Sequence, residues 1–362
     1  MVDHKRRATV EDAMDEDERP VSTQVTALAL TKRSKTGNGG EGTALVAAGP
    51  KRTSGLQAPI MHLTGHSGEV TTCQFSDTGE HIASGSTDKS VFLWNTYGDC
   101  ANYGTLHGHK GGVLELQWMP GSERLITASS DKTTVMWDVV TGEQLKRGKR
   151  HTAPVNGCCP LRRGTGDDNV FVSASDDGLL VVWDARERYP VAEVEHGLPL
   201  TSVAASPTGA TVYAGSVDNT ITSWDMRTME PIQTFRGHSG TVMGLCVSPK
   251  TGNFLLSSSL DNSVRLWDLR PFCQLPNRCE RVYSGAPHGY EMNLIRPAFS
   301  KDESMVASGS VDRTLTIWNM RSGEIKYKLP GHKGCVTQVD FHPREPIVLS
   351  GSTDKSMFLG EI

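Results

Sequence analysis

The chain has 362 residues, with 37 basic against 41 acidic side chains and a formal net charge of −4. That balance argues against a dedicated nucleic-acid binder, which carries a basic excess or stripe, and no apolar run approaches the roughly eighteen residues of a membrane span. The eight cysteines form no CxxC pair and no regular framework, so they read as free thiols of a reducing compartment, cytosol or nucleus.

Residues 1–55 differ from the rest. Basic clusters (Lys5, Arg6, Arg7; Lys32, Arg33, Lys35; Lys51, Arg52), an acidic run from Glu11 to Glu18 and the stretch TGNGGEG alternate there without a single aromatic. Such a segment buries too little surface to offset its ordering entropy, and a disordered charged tail is predicted. Its start has charges but no apolar core, so no secretory leader is expected. Its basic clusters are candidates for nuclear import.

From residue 56 the chain repeats itself. Trp94, Trp137, Trp183, Trp224, Trp267 and Trp318 are spaced 43, 46, 41, 43 and 51 residues apart, and Gly360 follows 42 after the last. Six residues before each of these positions sits Asp88, Asp131, Asp177, Asp218, Asp261, Asp312 or Asp354. Between 22 and 26 residues earlier again come His66, His109, His151, His196, His238, His288 and His332. Four residues before each aspartate is a hydroxyl (Ser84, Thr127, Ser173, Ser257, Ser308, Ser350), except in the fourth unit, which has Ala214. Runs such as SVFLW, LLVVW and TLTIW, preceded by TDKS, DDGL and similar turns, read as short strands covered on both faces.

Self-similarity at this period signals a repeat architecture, and these matched positions resemble the WD40-repeat family over residues 56–362. The resemblance implies an all-β, seven-bladed propeller preceded by the tail. It also implies that histidine, aspartate, hydroxyl and indole of one blade form a buried hydrogen-bonded chain. That assignment covers His66, Ser84, Asp88 and Trp94; His109, Thr127, Asp131 and Trp137; and His151, Ser173, Asp177 and Trp183. It continues with His238, Ser257, Asp261 and Trp267, and with His288, Ser308, Asp312 and Trp318. Each type suits its place: aspartate accepts, imidazole and hydroxyl both donate and accept, and the indole donates while its ring fills the core. One set per blade spreads these groups around a ring, so no metal site, cofactor or catalytic set is expected. With no nucleophile elbow and no phosphate-cradling glycine loop, the reading is a non-enzymatic binding platform. The fourth blade, with Ala214, is expected to be the least rigid.

The closing sequence STDKSMFLGEI repeats STDKSVFLWNT (Ser86–Thr96) but ends two residues after Gly360. A propeller that fails to close leaves two open sheet edges. Residues 58–64, within LQAPIMHLTGH, are therefore predicted to pair with 356–361 and complete the seventh blade, whose polar chain lacks an indole.

In the family the top rim, where loops enter the first strand and join the second to the third, is the usual contact face. The corresponding residues are Glu69, Thr71, Leu114, Asn156, Thr201, Met243, Ile295 and Thr337, joined by Thr87, Ser130, Asp176, Val217, Leu260, Val311 and Thr353. Its apolar members on blades four to six suit a protein partner. The long connection DLRPFCQLPNRCERVYSGAPHGYEMN is a second candidate contact.

Stretches outside the repeat consensus, SGLQAPIM, LWNTYGDCANYGTLHGH, WDLRPF, YKLPGH and FHPREPIVLSGSTDKSMFLGEI, resemble the family's branch in the U5 small nuclear ribonucleoprotein. That resemblance implies a nuclear scaffold in pre-mRNA splicing. Its partners would be the large central splicing scaffold protein and neighbouring U5 proteins, with small nuclear RNA reached mainly indirectly and no membrane or small-molecule substrate. The alternative is a substrate receptor of a cullin-RING ubiquitin ligase, for which the WDxR boxes at Trp183–Arg186, Trp224–Arg227 and Trp267–Arg270 stand.

Overall fold

The computed structural model describes residues 54–162 and 169–362, together with the backbone of residues 25–27. The expected disorder and import role of the tail otherwise lie outside the described residues. Seven antiparallel sheets follow one another, six of four strands and one of five. Their innermost strands are Val70–Phe75, Val113–Trp118, Val155–Pro160, Leu200–Ala205, Val242–Val247, Ala298–Phe299 and Val336–Phe341. Each packs on the next, and the last packs on the first. The sheets are thus the seven blades of a closed propeller.

The local chemistry repeats with the blades. Each turn aspartate accepts, through Oδ1, the backbone N–H two residues on (Ser90, Thr133, Leu179, Thr220, Ser263, Thr314, Ser356) at 2.9–3.0 Å. This side-chain-to-backbone turn pins the hairpin between the second and third strands. The residue between donor and acceptor takes a left-handed conformation: Lys89, Lys132, Gly178, Asn219, Asn262, Arg313 and Lys355 have φ between 62° and 77°. The apolar strand faces meet across blade boundaries. Val91, Leu93 and Leu106 of the first blade, for example, enclose Val113, Leu116 and Trp118 of the second.

The ring closes by the strand pairing expected from the sequence. Strand Ile60–Thr64 pairs antiparallel with Ser356–Glu361 in the register Ile60↔Gly360 to Thr64↔Ser356. One difference concerns the tail. Three of its residues, Val25–Ala27, form a fifth strand on the outer edge of that blade, with Val25 opposite Leu63 and Ala27 opposite Met61. An edge strand offers unpaired N–H and C=O groups to any extended segment, and VTA lies in the uncharged, β-compatible run VSTQVTALALT.

Candidate partner-binding face

The top face rests on the polar chains beneath it. Four blades hold them complete. In the first, His66 Nδ1 lies 2.9 Å from Asp88, its Nε2 lies 2.8 Å from Ser84 Oγ, and the Trp94 indole N–H donates to the same hydroxyl over 2.9 Å. The matching distances are 3.0, 2.7 and 2.9 Å for His109, Thr127, Asp131 and Trp137, and 3.0, 2.7 and 2.8 Å for His151, Ser173, Asp177 and Trp183. They are 2.8, 2.7 and 2.8 Å for His238, Ser257, Asp261 and Trp267.

A carboxylate only accepts, so Nδ1 carries the proton and Nε2 accepts from the hydroxyl in a neutral ring. Burial favours that neutral form by lowering His109 and His151 below the ordinary imidazole value, against the pull of Asp131 and Asp177. Burial pushes the Asp131 carboxyl up, but hydrogen bonds from Thr133, the Lys110 N–H and His109 outweigh it and hold the group at about 2. In the seventh blade the chain ends at the hydroxyl: His332 meets Asp354 at 3.0 Å and Ser350 at 2.9 Å, and Gly360 has no indole to add.

Two blades depart from the pattern. In the fourth, with Ala214 in the hydroxyl position, His196 Nε2 and Trp224 Nε1 are buried without a partner. Their ring centroids are 6.3 Å apart, within the 5.9–6.5 Å of the complete blades, so the gap has the size of the missing hydroxyl. An unsatisfied buried polar group costs ~1–3 kcal/mol. Ala214→Ser is therefore expected to stabilise the protein by about 1–2 kcal/mol, read as a raised melting temperature, while Ala214→Val gives no gain.

In the sixth blade the expected chain of His288, Ser308, Asp312 and Trp318 does not form, and that expectation is corrected here. Both ring nitrogens of His288 are buried without partners, and burial lowers its pKa to about 4 against the pull of Asp261. Asp312 pairs instead with Lys328 Nζ at 2.7 Å, Ser308 donates to the Gly309 carbonyl, and the Trp318 indole donates to the Ser284 carbonyl at 3.0 Å. The cause lies in the entering loop. Histidine and the last residue of the inner strand are nine residues apart in every other blade, but eleven separate His288 from Phe299. The two extra residues carry the ring away, and the backbone N–H of His288 donates to the Asn262 side-chain oxygen of the fifth blade.

The rim divides into two kinds of residue. In six blades the inner strand carries a β-bulge near its start, at Thr71, Leu114, Asn156, Thr201, Met243 and Thr337. A bulge re-aims the extra side chain, and here several of them point along the ring. The Thr71 hydroxyl donates to the Val113 carbonyl at 2.6 Å, the Thr337 hydroxyl to the Val70 carbonyl at 2.8 Å, Asn156 Nδ2 to the Leu200 carbonyl at 2.9 Å, and Thr201 to the Val242 carbonyl. Each is a clip to the following blade. Met243 and Ile295 are buried as well. The structure thus withdraws Asn156, Thr201, Met243, Ile295 and Thr337 from contact with a partner.

The remaining rim residues stay accessible: Glu69, Thr87, Ser130, Asp176 and Val217 are exposed, and Leu114, Leu260, Val311 and Thr353 are half-buried. The rim positions read from the repeat spacing did not include three exposed apolar side chains, two of which fall within the long connection expected as a second contact. Tyr290 is fully exposed and Met292 is 69 % exposed, both in the loop entering the sixth blade, and Leu198 is exposed in the loop entering the fourth. With Val217, Leu260 and Val311 they form an apolar arc over blades four to six. Their position in top-face loops was the available signal.

On the opposite side, the connection leaving the fifth blade is organised by Arg278, whose guanidinium donates to the Arg270 carbonyl at 2.6 Å and the Asp268 carbonyl at 3.2 Å. Phe272 stands out from it, 97 % exposed. Two WDxR arginines are engaged within their own boxes: Arg186 Nη2 lies 2.7 Å from Asp184 and Arg270 Nη2 lies 2.6 Å from Asp268.

Comparison with known proteins agrees with this architecture. The family "WD domain, G-beta repeat" matches seven times, over residues 57–95, 101–138, 142–184, 189–225, 229–268, 281–319 and 323–359. The U5 small nuclear ribonucleoprotein 40 kDa protein of Pongo abelii is 50 % identical over 319 residues, 88 % of each chain. The protein of the same description from Dictyostelium discoideum is 43 % identical over 87 % of each. Pre-mRNA-splicing factor cwf17 of Schizosaccharomyces pombe is 37 % identical over 86 % of this chain and 90 % of its own. With seven matched repeats and relatives similar along nearly their whole length, the chain belongs to the WD40-repeat family.

Proposed function

We propose that this chain is a nuclear, non-catalytic subunit of the U5 small nuclear ribonucleoprotein and acts in pre-mRNA splicing as a docking platform for the large central splicing scaffold protein. The observation that carries this reading is near-full-length similarity to U5 40 kDa proteins, at 50 % and 43 % identity. The apolar arc over blades four to six supplies a surface of the required kind, since large exposed aromatic and Met side chains grouped on a rigid face mark protein contacts. Arginines tied to their own aspartates leave the WDxR boxes of the third and fifth blades a structural use.

The test is affinity purification of the tagged chain from nuclear extract. Recovery of one small nuclear RNA with the giant scaffold protein is expected. The triple variant Val217→Asp, Tyr290→Asp, Met292→Asp should lose that recovery with its melting temperature unchanged. A cullin adaptor recovered without small nuclear RNA would replace this reading with the ligase one.

A further inference from the structure

The top face is electrically lopsided. Opposite the apolar arc, blades seven, one and two carry Lys333, Lys355, Lys89, Lys110 and Lys132, all exposed. They recur at two fixed places. Lys89, Lys132 and Lys355 hold the left-handed position after the turn aspartate, with φ of 73°, 68° and 69°. Lys110 and Lys333 follow the blade histidines, and their backbone N–H groups donate to Asp131 and Asp354 at 2.8 Å. The equivalent positions on blades three, four and five are Gly178, Asn219, Asn262, Thr152, Gly197 and Ser239, none of them charged, while blade six carries the single cation Arg313 beside Gly289. The aspartates nearby are turned inward to their histidines, which leaves Glu69, and Glu291 near Cys335, as exposed acids close to these lysines. Among the described residues no acid pairs with any of the five ammonium groups.

The register of the edge strand shows what lies within reach. Val25 sits in one row with Leu63 and Met357, and Met357 is two residues from Lys355. Two interstrand steps of about 4.8 Å place Val25 roughly 10 Å from Met357. Because Val25 pairs toward the Thr64 end of strand Ile60–Thr64, the N-terminal end of strand Val25–Ala27 faces the top face, on the side of the lysines. Seven residues upstream begins the run Glu11–Glu18, with six acids in eight positions. Seven residues of extended chain span up to about 25 Å.

We propose that the lysine arc on blades seven, one and two is a docking surface for an acidic segment, and that the acidic run Glu11–Glu18 of this same chain occupies it. Anchoring at Val25–Ala27 makes the contact intramolecular, so effective concentration replaces affinity, and an outside polyanion has to displace the run. This goes beyond the docking role of the apolar arc and does not depend on it.

The test uses the full chain and carbodiimide cross-linking, which joins a carboxylate to an amine already in contact. Peptides linking residues 11–18 to Lys89, Lys110, Lys132, Lys333 or Lys355 are expected, and they should vanish in 1 M salt, where the screening length falls to about 3 Å. A fluorescent octaglutamate should bind the variant E11Q/D12N/D15N/E16Q/D17N/E18Q about tenfold more tightly than the unaltered chain, as removal of a tethered competitor implies. Adding K89E, K110E and K355E should abolish that binding. Cross-links confined to lysines elsewhere, such as Lys149 or Lys301, would overturn the proposal. So would equal binding of octaglutamate, or of a short single-stranded RNA, to both chains, which would show an arc already open to polyanions.

Discussion

Deleting residues 56–64 is expected to turn a monomer with one cooperative melting transition into an aggregating, unfolded chain. Strand Ile60–Thr64 contributes five paired positions to the seventh blade, and the Glu361 N–H adds a bond to the Pro59 carbonyl. Leu56, Ala58, Met61 and Leu63 are buried in one cluster with Val70, Ile82 and Trp94 of the first blade and Leu349, Met357 and Leu359 of the seventh. Full burial of a Leu or Met side chain stabilises by roughly 1.5–3 kcal/mol. Three of them equal much of the 5–15 kcal/mol that separates folded from unfolded domains. The exposed edge of Ser356–Glu361 would then template intermolecular pairing. A milder version, Leu63→Ala, should cost about 2–5 kcal/mol and leave a monomer. Light scattering with thermal unfolding decides the matter: a monomeric deletion with an unchanged melting temperature would mean that the ring closes without this strand.

That strand was legible because the last repeat copies the first almost letter for letter and then stops, which leaves a vacancy only a β-compatible segment can fill. The polar chains were legible for a similar reason: the fixed steps from hydroxyl to aspartate to tryptophan, with a histidine 22 to 26 residues before the aspartate, reflect recurring strand lengths. The same spacing misled at His288, which keeps its distance from Asp312 yet sits two residues too far from Phe299. The informative measure was the nine-residue step to the inner strand. At Thr71, Asn156, Thr201 and Thr337 the position on the rim was readable but the direction of the side chain was not. That direction is set by a β-bulge, and the acceptors, the carbonyls of Val113, Leu200, Val242 and Val70, belong to the following blade. Strand Val25–Ala27 escaped detection because three residues inside a charged, glycine-containing segment carry no periodicity of their own.

A contact with no sequence signature carries the second large prediction. Arg296, just before the inner strand of the sixth blade, reaches across the central channel. Its Nε lies 3.3 Å from Glu115 Oε1 on the second blade, and its Nη2 donates to the Asn156 carbonyl on the third at 2.9 Å. Glu115 in turn accepts the Cys158 N–H at 2.9 Å. Both charged side chains are 4 % exposed. Burial raises the Glu115 pKa, and Arg296, the Cys158 N–H and Gln117 hold it back. Below this pair the channel opens into a cavity of about 240 Å³ lined by Gln74, Gln117, Asp340 and their neighbours.

Arg296→Met should therefore cost about 3–5 kcal/mol, because it strands a buried carboxylate. For a domain of this size that lowers the melting temperature by on the order of 10 °C. The loss should also acquire a pH dependence of definite sign. With Arg296 gone the folded-state pKa of Glu115 rises further above its unfolded value. The native state then binds more protons than the unfolded one, and stability falls as pH rises from the ordinary glutamate value through the raised one. Adding Glu115→Leu removes the stranded charge, so the double variant should recover most of the stability and lose the pH dependence, as replaced buried ion pairs do. If the single variant melts normally at every pH, the propeller is held by its blade-to-blade contacts alone, and the bridge across the channel contributes nothing to it.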